Sequence, residues 1–140
     1  MPKVKPCIHA NLSYLAVAMA LLSCTSPCRN SIINQTASPN GAWKAVVFQR
    51  DCGATTGFTT QVSILSASES LPETKGNAFT ADTDHGKAAS GPGGGPSVQV
   101  RWISDVEMEI SHDSNARVFT RERVVKSIQV RYNTFNAKNP

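Results

Sequence analysis

The stretch Val98-Gln99-Val100-Arg101-Trp102-Ile103-Ser104-Asp105-Val106-Glu107-Met108-Glu109-Ile110 reads as one hairpin. Val98, Val100 and Trp102 alternate with Gln99 and Arg101, and Val106, Met108 and Ile110 alternate with Glu107 and Glu109. Successive side chains of a strand leave opposite faces, so an apolar period of two marks a strand buried on one face and wet on the other. Ser104-Asp105 supplies the reversal between the halves.

The same period recurs on both sides of this hairpin. Ser38-Pro39-Asn40-Gly41 carries Pro and Asn-Gly turn chemistry and delivers Trp43 to Gln49 as a strand with both faces partly buried. Phe58 to Leu65 puts Phe58, Thr60, Val62 and Ile64 on one side and Thr59, Gln61 and Ser63 on the other. Ser66 to Gly76 is a polar connection, Asn77 to Ala81 a short strand around Phe79, and Asp82 to Pro96 irregular. Downstream, a reversal at His112 to Asn115 leads to Arg117 to Arg123. The last strand runs Ser127 to Tyr132, with Ile128, Val130 and Tyr132 facing inward. No stretch of this region shows sustained apolar spacing of three and four. The expected fold class is therefore all-β, a small antiparallel β sandwich or a twisted sheet of about six or seven short strands.

The front of the chain obeys different rules. Met1 to Pro6 carries Lys3 and Lys5 with no acid, and Tyr14 to Leu22 is an unbroken run of apolar or small residues. This is the layout of a signal peptide, expected to be helical and too short to remain as a membrane span. Leu21-Leu22-Ser23-Cys24 resembles the lipobox of bacterial lipoproteins, although Leu22 is bulkier than usual at its position. The resemblance implies that the Cys24 thiol receives diacylglycerol, that cleavage precedes it, and that the new amino terminus is acylated as well. Several chains together anchor where one would not. Ordinary secretion, with Ala18-Met19-Ala20 as the cleavage site, and an uncleaved anchor are the competing readings. Thr25 stands where an aspartate would resemble an inner-membrane retention signal, which points to the outer membrane, facing the periplasm.

At 140 residues the chain has room for one domain. The expected division is a signal peptide over 1–23, a polar tether over 24–38, an all-β domain over 39–133 and a frayed tail over 134–140. Loss of Lys3 and Lys5 lowers 14 basic residues to 12 against 10 acidic ones, so the formal charge falls from +4 to +2. That charge lacks the concentrated basic footprint of nucleic-acid binding, so nucleic acid is rejected as a partner. The membrane, through the lipid, and an envelope protein are the partners expected.

Four cysteines sort once processing is assumed: Cys7 leaves, Cys24 takes lipid, and Cys28 and Cys52 remain as a pair. An oxidising envelope favours a disulfide between them. A redox or metal pair is the alternative, but the two form no C-x-x-C and no cluster of Cys or His accompanies them.

Several segments invite a chemical reading. Arg50, Asp51, Thr55 and Thr56, within Arg50-Asp51-Cys52-Gly53-Ala54-Thr55-Thr56-Gly57, gather charge and hydroxyls at a hairpin end and form the candidate recognition loop. A plain turn stapled by Cys52 is the simpler reading. Asp82-Thr83-Asp84-His85-Gly86 offers oxygen donors at alternate positions but lacks the third ligand and the closing Glu of a calcium loop. Gly91 to Pro96 lacks the Gly-Lys-Ser/Thr ending of a phosphate cradle and reads as a connector or mobile lip. His112-Asp113 beside Ser111 and Ser114 suggests a triad, yet triads assemble across a fold rather than between neighbours. Arg117, Arg121, Arg123, Lys126 and Arg131 form a basic band suited to anionic headgroups or to plain solvated faces. No catalytic set, metal site or cofactor is expected.

Ser38 to Leu65, SPNGAWKAVVFQRDCGATTGFTTQVSIL, with Gly91 to Ile110, GPGGGPSVQVRWISDVEMEI, resembles a group of small uncharacterised bacterial lipoproteins. In that group the first turn is usually Ser-Pro-Asp-Gly, from which Asn40 departs while keeping the turn chemistry. The turn also resembles one repeat of a Tol-type β-propeller, but a propeller needs at least about four blades and the chain has room for fewer. The resemblance implies no activity. The leading expectation is a non-enzymatic, lipid-anchored module that binds another envelope component. The alternatives are a lipoprotein inhibitor of an attacking hydrolase or toxin, and a small metal-dependent hydrolase using Asp82, Asp84, His85 and His112.

Overall fold

A computed structural model describes residues 28–53 and 55–138; the expected signal-peptide helix and Cys24 lie outside the described residues. Within them the alternating segments become strands: β1 (Arg29–Ala37), β2 (Trp43–Asp51), β3 (Thr59–Ser66), β4 (Phe79–Asp82), β5 (Val98–Ser104), β6 (Glu107–Asp113), β7 (Arg117–Arg121), β8 (Val124–Val125) and β9 (Ile128–Phe135). They build two sheets, ordered β1-β2-β3-β4-β7 and β5-β6-β9-β8, with no helix among the described residues. The all-β sandwich expected from the alternation is what the chain forms. Its additional strands are β1 and the two-residue β8.

One apolar layer joins the sheets. Ala45, Val47, Val62, Ile64 and Phe79 of the five-stranded sheet bury against Met108, Ile110, Val125, Ile128 and Val130 of the four-stranded one. Met108 and Ile110 lie on the inward face assigned by the alternation, while Val106 falls in the turn and is 58% exposed. The expected 38–41 reversal also forms. Gly41 donates to the Ser38 carbonyl at 2.9 Å with φ +70°, and the Asn40 side-chain oxygen accepts from the Ala42 amide at 3.0 Å.

Three expectations are corrected. Residues 29–37, read as tether, pair with β2 along their whole length, from Arg29↔Asp51 to Ala37↔Lys44. A bulge between Ile32 and Asn34 puts the half-buried positions at Asn30, Ile33 and Thr36, so the period of two that betrays a strand is absent here. Residues 134–135, read as frayed tail, end β9, and the Ala137 amide donates to Asp113 Oδ2 at 3.3 Å. The pairing is not wholly antiparallel, because β6 and β9 run parallel from Glu107↔Gln129 to Asp113↔Phe135. After β6 the chain crosses to the far edge of the other sheet as β7 and returns through β8, which sets the direction of β9.

The central strand β3 is also buried on both faces rather than one. Its polar outer side chains anchor the 66–78 connection: the Gly76 amide donates to Gln61 Oε1 at 2.7 Å and the Asn77 amide to Ser63 Oγ at 3.3 Å. The Asn77 carboxamide donates to the Ile64 carbonyl at 2.9 Å and accepts from its amide at 2.8 Å, continuing the ladder in place of a strand. A Cβ at Gly76 would stand 2.7 Å from the Val62 carbonyl oxygen, so only glycine lets this connection lie so close. Beneath it Val46, Phe48 and Leu65 form a second small core with Leu71.

Val125 and Ile128 face each other across a two-residue loop in which Lys126 and Ser127 both have positive φ, 49° and 68°. That is a type I′ reversal, usually supplied by Asn-Gly. Because Lys-Ser carries no such signal, the sequence does not show β8, which falls between the expected Arg117–Arg123 and Ser127–Tyr132 strands. Ser127→Gly is expected to raise the unfolding free energy by about 0.5–1 kcal/mol in urea titration, by relieving left-handed backbone at no contact cost.

Tyr132 ties the sheets at the same end, its hydroxyl donating to the Glu122 carbonyl at 2.7 Å and the Ala78 carbonyl at 3.0 Å. Burial pushes this phenol up from 10.0 to about 12. The unfolded chain therefore loses the proton first: the stabilisation is complete below pH 10 and is lost as pH rises towards about 12. Tyr132→Phe is expected to cost about 1–2 kcal/mol at neutral pH and to flatten that alkaline slope when stability is followed against pH.

Candidate functional site

Arg50 and Thr59 face each other at the end of the β2–β3 ladder, and their side chains leave the sheet on its outer face, away from the second sheet. In the next strands the same face carries Thr80, opposite Gln61 and Thr120. This row, Cys52, Thr56, Gly57 and Lys75 enclose a groove of about 300 Å³, with the Phe119 ring on its rim, 57% exposed. Most of its surface is apolar, and Thr56, Thr59, Thr80 and Thr120 are among the residues that line it. Concave, mainly apolar surface with a few polar groups is the usual form of a small-ligand site.

Arg50 is held in place without losing its charge. Its Nη1 donates to Asn30 Oδ1 at 2.8 Å, and Asn30 Nδ2 is fixed in turn by the Pro72 and Thr74 carbonyls, each at 2.8 Å. No carboxylate is among the described residues lining the groove, and neither Arg50 nor Lys75 joins an ion pair there. Two cations without an ion-pair partner among the described residues therefore share one apolar hollow, while Glu73 accepts from the backbone amide of the same Asn30 at 2.7 Å. Thr80 Oγ1 is buried without a hydrogen-bond partner, a state that costs free energy unless something else satisfies it.

A disulfide joins Cys28 to Cys52, so the start of β1 is fixed to the hairpin end and Cys52 becomes part of the groove wall. Of the remaining candidate loop residues, Asp51 turns away and caps the Gly53 amide at 2.9 Å, while Thr56 donates to the Gly53 carbonyl at 3.1 Å and lines the groove. Thr55 is exposed at the loop and does not line it. The reading of the loop missed Lys75, Thr80, Phe119 and Thr120. Of these only Phe119 left a trace in the sequence, as an aromatic at the outward position beside the inward Val118.

The other candidates have structural tasks. Burial disfavours ionisation of Asp82, but hydrogen bonds from Arg117 and the Asp84 amide outweigh it and hold the carboxyl below its ordinary value. The Lys87 ammonium does the same for Asp84 at 2.7 Å. His85 is exposed, and no group of three or more metal-ligating side chains forms among the described residues. His112 is buried against the Phe79 ring, centroids 5.0 Å apart, with Nδ1 2.9 Å from the Asp113 carbonyl oxygen. Asp113 caps the following turn through the Asn115 amide at 2.8 Å. The basic band is largely paired off: Arg117 with Asp82, Lys126 with Glu69 at 2.9 Å, Arg131 with Glu107, and Arg121 over the Tyr132 ring at 4.6 Å. The glycine connector is no open lip, since Gly95 and Pro96 are buried and Thr60 Oγ1 donates to the Pro96 carbonyl at 2.8 Å.

Comparison with protein-family models, with curated proteins and with solved structures found no match.

The disulfide joins the start of β1 to the groove wall at Cys52. Because the bridge closes a separation of 24 residues, the Cys28→Ser, Cys52→Ser double variant is expected to be less stable by about 3–4 kcal/mol. Urea unfolding of the oxidised wild type beside the variant measures it.

Proposed function

We propose that this protein is a non-enzymatic, lipid-anchored module of the bacterial cell envelope, tethered through Cys24 in the outer membrane, whose groove beside Arg50 and Lys75 binds another envelope component. The observation that carries the binding half of this reading is the pair of cations without carboxylate partners on one apolar hollow. Charges left unpaired at a concave site add specificity for a complementary ligand. The lipobox-like Leu21-Leu22-Ser23-Cys24 and the preceding apolar run support the anchor, as does the resemblance to small bacterial lipoproteins. A binding role is favoured over hydrolysis because, of the four residues a metal-dependent hydrolase would use, Asp82, Asp84 and His112 are occupied by ion pairs or by packing, and the exposed His85 joins no group of three or more metal-ligating side chains among the described residues.

Two measurements test the halves separately. Intact mass of the membrane-extracted protein is expected to show a chain beginning at an acylated Cys24, with two hydrogens fewer than the reduced form owing to the Cys28–Cys52 bridge. A mature chain beginning at Leu21 with a free Cys24 thiol would sink the anchor. For the groove, retention of an envelope component on the immobilised protein is expected to fall at least roughly tenfold on Arg50→Gln with Lys75→Gln, as expected when charged contacts are removed from a binding site. Equal retention by variant and wild type would count against the groove.

A further inference from the structure

Pairing of β1 with β2 changes where an anchored domain must sit. A tether over residues 24–38 would reach about 50 Å from the bilayer when extended. With β1 beginning at Arg29 and Cys28 bonded to Cys52, only residues 25–27 separate the lipidated cysteine from the folded domain. Four residue steps span at most about 14 Å. The headgroup layer on each side of the hydrocarbon is itself about 5–8 Å deep. Because Cys52 forms part of the groove wall, the groove is leashed to the membrane surface, while the 38–41 and 104–106 turns lie at the opposite end of the strands.

The chemistry of that leashed end matches what it would meet. Arg29 is exposed at the first position of β1, and Arg50 and Lys75 open on the groove without carboxylate partners among the described residues. Phe119, 57% exposed, adds aromatic surface on the groove rim. Cations beside exposed rings suit the boundary between headgroups and acyl chains. Basic groups act on an anionic lipid surface only within about one Debye length, and the short leash supplies that proximity.

We propose that the groove receives the phosphate-bearing headgroup of an anionic lipid in the bilayer that anchors the protein, with Arg50 and Lys75 on the phosphate and Phe119 against the glycerol and upper acyl region. This rests on the lipid-anchored reading above and names the component bound.

The test uses the acylated mature protein in vesicles, with Phe119→Trp as the reporter. The native Trp43 and Trp102 lie towards the far end of the strands and serve as the internal reference. Emission is compared in phosphatidylcholine vesicles with and without phosphatidylglycerol, each containing a headgroup spin-labelled lipid as quencher. The expected result is quenching of the Phe119→Trp signal beyond that of Trp43 and Trp102, rising with phosphatidylglycerol. Adding Arg50→Gln and Lys75→Gln is expected to weaken the phosphatidylglycerol-dependent part roughly tenfold, with the disulfide and thermal midpoint checked to confirm folding. Quenching independent of phosphatidylglycerol, or no greater than that of the native tryptophans, overturns the proposal. So does an equal response of neutral vesicles to inorganic phosphate, which would assign the groove to a free anion. Mass spectrometry of the same sample separates the two failures: an unacylated Cys24 removes the anchor itself, whereas an acylated chain without the lipid response removes only this inference.

Discussion

Phe79 is the residue through which the two sheets hold each other. It sits fully buried in the four-residue β4, with its ring 5.0 Å from His112 and 6.0 Å from Tyr132, both on strands of the opposite sheet. Tyr132 closes the contact by donating to the carbonyl of the adjacent Ala78. Aromatic pairs in this tilted, offset geometry add to simple area burial. The same pairing leaves His112 Nε2 without a partner inside the core, so packing against Phe79 takes precedence over a hydrogen bond there.

The alternation that points Phe79 inward points Thr80 outward, and this connects the core to the groove. Sheet order brings β2, β3, β4 and β7 side by side, so Arg50, Thr59, Thr80 and Thr120 form one row although they lie far apart in the chain. The 66–78 connection packs Leu71 on Val46, Phe48 and Leu65 of that outer face and brings Lys75 to the groove at the hairpin end.

Charge is distributed with the same economy. Arginines and lysines of the carboxyl-terminal third that look like one basic band alternate between faces and meet Asp82, Glu69 and Glu107 from other strands. Exposed pairs of this kind contribute little to stability, but they remove those cations as candidates for a ligand. Arg50 escapes because its partner is the neutral Asn30, itself committed to the 72–74 backbone.

Local rules carried much of the fold. The β5–β6 hairpin, the burial of β2 on both faces, the inward face of β9 and the Ser38–Gly41 reversal follow from local pattern and turn chemistry, which depend on a few consecutive residues. The Cys28–Cys52 bridge was legible from cysteine number once processing was assumed. Part of the candidate site was legible too: of the four loop residues singled out by composition, Arg50 and Thr56 line the groove and Asp51 and Thr55 do not. What the sequence could not express depends on pairing between distant segments. A bulge erased the period of two in β1, the crossover through β7 made β6 and β9 parallel, and only the sheet order set Lys75, Thr80 and Phe119 beside Arg50. Such neighbours are selected by burial of the whole apolar surface at once, a property of the folded layers that no local window of residues contains.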